Sequence, residues 1–176
     1  KRKILSKLIE WKNKKNRKPL IVNGARQVGK TYILKEFGSH YYEKMAYVNC
    51  DKNKTLDKIF SQDYNISRIL LSLSAILHVN IEPENTLIIF DEIQENPTVL
   101  NSLKYFCEDA SQYHVAVAGS LLGISLHRDT SFPVGKVDMI KMYPMTFDEF
   151  LMAIDEQPLV DVLASKDFSI IDSLSV

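Results

Sequence analysis

The sequence predicts a three-layer α/β fold, with helices on both sides of a five-stranded, mostly parallel sheet. Three observations carry that prediction. Short apolar runs bounded by Pro, Gly and Asn alternate along the chain with stretches of helical periodicity. The run Leu87-Ile88-Ile89-Phe90 is apolar without alternation, the pattern of a strand buried on both faces. The chemically conspicuous residues fall just beyond strand ends, the edge at which such sheets bind ligands.

Taken in order, Ile4, Leu5, Leu8, Ile9 and Trp11 share one helical stripe, which predicts an amphipathic helix over residues 3–13 laid on the domain. Lys12 to Lys18 is a polar loop, and Pro19 precedes a first strand through Leu20-Ile21-Val22. A helix is expected from about Lys30 to Phe37, with Gly38 as its stop signal. Met45 to Cys50 reads as the second strand. Two helices follow. Thr55 is the expected cap of the short one, and Asn65 or Ser67 opens the longer, whose inner face is Ile69, Leu70, Leu73, Ile76 and Leu77. The third strand runs from Thr86 and ends in Asp91-Glu92. Asn96-Pro97 starts another helix, Asn at the cap and Pro at the first position, with Val99, Leu100, Leu103, Phe106, Cys107 and Ala110 inward. Val115 to Ala118 is the fourth strand, 121–136 is irregular, and Val137 to Met142 is the fifth. A last helix, from Thr146 or Phe147 to Ile154, is expected to bury Phe147, Phe150, Leu151 and Ile154. The domain reading is a basic helix and loop over 1–18, the main α/β domain over 19–155, and a tail over 156–176 leading towards a further domain.

Composition narrows the class. At 176 residues, 45% hydrophobic and 25% charged, the chain has the size and balance of one ordinary globular domain. No run of ~18 apolar residues encodes a membrane-spanning helix. The basic N-terminus lacks the apolar core of a signal peptide, so a cytoplasmic protein is expected. Cys50 and Cys107 are isolated and read as two reduced structural thiols. The net charge of zero hides an asymmetry: residues 1–18 carry nine Lys/Arg against one Glu, and the remainder 13 basic against 21 acidic residues. A basic arm of this kind can meet nucleic acid or an acidic partner, although a solvated helix face explains it more simply.

The chemistry starts at Gly24-Ala25-Arg26-Gln27-Val28-Gly29-Lys30-Thr31, a G-x-x-x-x-G-K-T loop between a strand and a helix, continued by Tyr32. Such a loop curls backbone N–H groups around phosphate at the positive end of the helix. Lys30 is then expected on the β- and γ-phosphates and Thr31 on a magnesium ion. Gly24 to Tyr32 are accordingly the candidate nucleotide-binding residues. Asp91, capping a buried strand, is the candidate second magnesium ligand, acting through water. Glu92 follows as the base for a water attacking the γ-phosphate. That favours hydrolysis over transfer to a substrate hydroxyl, so a small-molecule kinase is the weaker reading. Ser120, just after the fourth strand, is the candidate γ-phosphate sensor, and Gln94 is placed to restrain Glu92 or touch the water. Arg26, Arg128 and Lys136 are the cations available for transition-state charge, without a spacing that selects one. The histidines, 40, 78, 114 and 127, show no metal-ligand spacing.

Four segments, the loop from Gly24 to Thr31, Asp91-Glu92-Ile93-Gln94, Ala118-Gly119-Ser120, and Tyr143-Pro144-Met145-Thr146-Phe147-Asp148-Glu149-Phe150, together resemble a group of prokaryotic AAA-like P-loop ATPases. The resemblance runs from about Ile4 to Leu151. It implies the ASCE strand order, in which the strand ending at Ser120 lies between the P-loop strand and the Asp91 strand. It also implies ATP, not GTP, and a C-terminal domain likened to restriction endonucleases. The family pattern has Gly-Arg before the fifth strand where this chain has Gly135-Lys136, which keeps the charge and loses the bidentate fork. The expected function is magnesium-dependent ATP hydrolysis coupled to movement of a partner protein or C-terminal domain. The alternative is a nucleotide-gated switch or scaffold with little turnover, associated with nucleic acid through the basic segment. A homo-oligomer fits either.

Overall fold

Five strands lie side by side in the order β2-β3-β4-β1-β5, and every neighbouring pair is parallel. In this computed structural model the described residues are 2–120 and 133–166. The strands are β1 (Leu20–Gly24), β2 (Lys44–Asn49), β3 (Thr86–Asp91), β4 (His114–Ser120) and β5 (Asp138–Met142). Through the same residues the helices are α1 (Ile4–Lys12), α2 (Lys30–Tyr41), α3 (Lys54–Phe60), α4 (Ile66–Leu77), α5 (Pro97–Asp109), α6 (Phe147–Ala153) and α7 (Gln157–Ser165). β4 sits between β1 and β3, as the expected strand order requires.

Side chains alternate across a strand, so each buried strand feeds two cores. Ile21, Ile88, Phe90, Val115 and Val117 pack with the inner faces of α3, α4 and α5. Leu20, Val22, Leu87, Ile89, Ala116 and Ala118 pack on the other face with α1 and α2. Trp11 belongs to this second core and donates its indole N–H to the carbonyl of Lys18 at 2.8 Å. Asn65 and Asn96 cap α4 and α5 through their side-chain oxygens, and Asn53 rather than Thr55 caps α3.

Two expectations fail for the same kind of reason, a contact between distant segments. Gly38 does not end α2, which continues to Tyr41. A Cβ on Gly38 would stand 2.8 Å from Met45 Sδ and 3.4 Å from Leu87 Cδ2, so this glycine lets α2 lie close on β2 and β3. On α6 only Leu151 of the expected stripe is buried, while Phe147, Phe150 and Ile154 are 64%, 48% and 51% exposed. The helix is docked instead through Glu149. Its carboxylate accepts from the backbone N–H of Lys3 at 2.7 Å and of Thr146 at 3.0 Å, with Arg2 Nε 3.4 Å away. Phe147 and Phe150 stack on each other, facing out. Ile76 is likewise 47% exposed, Cys107 is half-buried, and the segment after residue 156 forms α7. Arg128 and His127 lie outside the described residues, as does the tail from 167. No helix among the described residues is long and apolar enough to cross a membrane.

His114, at the start of β4, is buried with its Nδ1 2.7 Å from the Tyr42 hydroxyl and with the Trp11 and Tyr42 rings edge-on. Burial first, then the charges of Arg17 and Lys12, push its pKa down to about 3 from an ordinary 6.5. A group whose folded pKa is depressed holds its stability above the unfolded value and loses it as pH falls. Chemical denaturation should therefore show stability declining from about pH 6.5 towards pH 3. In His114→Gln that decline should be shallower over the same window.

Candidate functional site

The C-terminal ends of β1, β4 and β3 lie side by side, because register sets Gly24 opposite Ser120 and Phe90 opposite Val117. After β1 the chain turns through Gln27 (φ 62°) and Gly29 (φ 91°) into the first turn of α2. Those left-handed residues turn the loop back at the start of α2, whose first N–H groups have no partner within the helix. Gly24 is held for a different reason. A Cβ there would be 2.3 Å from the carbonyl oxygen of Met142 on β5.

Lys30 bends back to donate to the carbonyls of Ala25 (2.7 Å) and Gly24 (3.1 Å). Burial lowers its pKa, with the carboxylates of Glu92 and Asp91 opposing that shift. Thr31 donates its hydroxyl to Asp91 Oδ2 at 2.8 Å, which brings the two candidate metal ligands together. Asp91 Oδ1 takes the backbone N–H of Glu92 at 3.0 Å. A hydroxyl and a carboxylate beside a phosphate cradle are hard oxygen donors of the kind magnesium takes with substrate phosphates. The residues present fit that group.

Glu92 adopts φ 51°, a left-handed conformation unusual for a residue with a side chain, and opens a 3₁₀ turn over Ile93–Glu95. Gln94 reads out the result. Its amide N–H donates to Glu92 Oε2, and its oxygen accepts from the backbone N–H of Ser120 at 3.2 Å. Gln94 is buried, so one amide joins the ends of β3 and β4. Beside the loop, a recess of about 460 Å³ is lined by Arg2, Arg26, Tyr32, Met142, Pro144 and Met145 among others. A recess of about 530 Å³ at the far ends of the strands, around Ile66, Asp109 and Tyr113, holds none of these residues.

Lys136 is not brought to the site, since it pairs with Glu108 on α5 at 2.8 Å. Most of the basic arm is also engaged within the molecule. Arg2 donates to the carbonyl of Tyr143, Lys3 pairs with Asp148, Lys12 with the Tyr41 carbonyl, Lys14 with Asp138, Arg17 with the Lys12 carbonyl and Lys18 with the Gly135 carbonyl. The residue that sequence reasoning missed is Tyr47, whose hydroxyl donates to Asp91 Oδ2 at 3.0 Å. Its only signal was position: on β2 it shares a sheet face with Asn49 at the strand end. Cys50 and Cys107 are both free thiols. Burial, with Asp91, Asp57 and Glu92 nearby, pushes the Cys50 thiol up to about 12, which leaves it inert.

Residues 16–151 match the family described as an AAA domain. No curated protein matches the chain. A solved structure of C. elegans PCH-2 aligns with 92% of it at 12% identity and a TM-score of 0.47, and the chain spans 46% of that structure's length.

Gly24→Ala tests the close approach of the loop to β5. The clash is with a main-chain carbonyl on a paired strand, so the strands must separate. We expect a loss of about 1–3 kcal/mol in urea unfolding. An unchanged midpoint would mean that the two strands have slack.

Proposed function

Because the chain belongs to the AAA domain family, we propose that it is a magnesium-dependent ATPase module that couples hydrolysis to movement of a partner or attached domain. One observation carries the reading: the Thr31–Asp91 pair and the Glu92–Gln94–Ser120 chain converge on the mouth of one phosphate loop. The loop N–H groups and Lys30 bind the β- and γ-phosphates, Lys30 exchanging its carbonyl partners for phosphate oxygens. The recess lined by Tyr32, Arg26, Met142, Pro144 and Met145 is where the adenine would lie. Thr31, and Asp91 through water, would hold a magnesium ion, which when bound would supply charge neutralisation on the phosphates. Glu92 takes the proton of the attacking water. Gln94 holds the Glu92 carboxylate and, through Ser120, links its position to whatever occupies the γ-phosphate end.

The Gln94 contact also favours a second reading, a nucleotide-gated switch. With Glu92 bonded to Gln94 and Lys136 bonded to Glu108, the candidate base is restrained and one candidate cation is elsewhere. Turnover measured alone and with added DNA or RNA separates the two. Rapid turnover of the isolated chain would exclude the pure switch.

Two substitutions divide binding from chemistry. Lys30→Ala should weaken ATP binding by roughly a hundredfold in equilibrium titration, the worth of about two charge-assisted hydrogen bonds. Glu92→Gln should bind ATP as the parent does while hydrolysis falls by about 10²–10⁴-fold. Parental hydrolysis in Glu92→Gln would remove Glu92 as the base.

A further inference from the structure

Asp91 has a partner that neither motif supplies. Its Oδ2 takes the Tyr47 hydroxyl at 3.0 Å as well as the Thr31 hydroxyl at 2.8 Å, while Oδ1 takes the Glu92 N–H. A carboxylate offers about four lone-pair positions, so three donors leave little freedom in how it points. Register pairs Tyr47 with Ile89, two residues short of Asp91. The phenol therefore runs along the sheet to reach the strand end, a span that an aliphatic strand residue cannot bridge with a donor. The ring is itself placed. Lys35, one turn beyond Thr31 on α2, sets its ammonium 3.6 Å from the ring centroid.

We propose that Tyr47 is a positioning residue for the divalent cation: it holds the Asp91 carboxylate in the orientation that receives metal-bound water, and Lys35 fixes the ring that does so. Asp91 is then held from both sides, by α2 through Thr31 and by β2 through Tyr47. The inference rests on the nucleotide-site reading above. The competing role is structural: a tyrosine that only satisfies a 5%-exposed carboxylate would contribute to folding and not to metal binding.

The discriminating measurement is the affinity for a fluorescent, non-hydrolysable ATP analogue in excess Mg²⁺ and in EDTA. Tyr47→Phe keeps the ring and removes the donor. Loss of an outer partner of a direct metal ligand costs roughly tenfold or more in metal affinity, and Asp91 meets the metal through water, so the tightening by Mg²⁺ should shrink by up to about that factor. Affinity in EDTA should stay at the parental value. Lys35→Met, which releases the ring without touching the hydroxyl, should shift the Mg²⁺ effect the same way by a smaller factor, and it tests the inference even where Tyr47→Phe folds poorly. Parental Mg²⁺ dependence in both variants, or equal weakening with and without metal, would overturn the role of Tyr47 and leave the nucleotide site intact. If the parent bound no analogue in either condition while folded, the site reading would fall, and this inference with it.

Discussion

The insertion of β4 between β1 and β3 is the constraint on which the site depends. Parallel neighbours are about 4.8 Å apart, so pairing Gly24 with Ser120 puts the loop glycine and the serine within reach of one ligand. The next strand over then ends in Asp91, close enough for Thr31 to donate to it. The loop, Asp91 and Ser120 are far from one another in sequence. Main-chain hydrogen bonding across the sheet does the gathering, and each buried strand resists slipping because a one-residue shift would exchange its two apolar faces.

What the sequence made legible is whatever is written locally. The phosphate loop, the acids that close a buried strand and the Asn96-Pro97 start each depend on residues a few positions apart, and all lie where expected. The sheet order followed from the resemblance, and the strands themselves from short apolar runs bounded by turn residues. The failures are long-range. Gly38 reads as a helix stop until Met45 and Leu87 are brought against it. Phe147, Phe150 and Ile154 read as the buried face of the last helix until Arg2 and the Lys3 N–H close on Glu149 instead. Tyr47 reads as strand filling until β2 is laid beside β3. In each case the deciding partner is on a separate element, and no periodicity announces it.

The charge asymmetry has the same character. Positive charge gathered in the first eighteen residues is met by Asp138 and Asp148 from the far end of the chain. Exposed pairs of this kind contribute little each to stability. Their effect is on arrangement, fastening the first helix beside β5 and α6. Arg2 extends the arrangement to the loop, with one guanidinium nitrogen 3.4 Å from the Val28 carbonyl. The N-terminal segment is therefore a brace between the phosphate loop and α6.

Gly38 has a consequence well away from its own contacts. It lies eight residues along α2 from Lys30, which at 1.5 Å per residue is about 12 Å from the phosphate loop. A side chain at that notch would have to displace Met45, on the face of the sheet that α2 covers. The seat of the helix that starts at the loop is thus cut, two turns further on, for a residue that has no side chain at all.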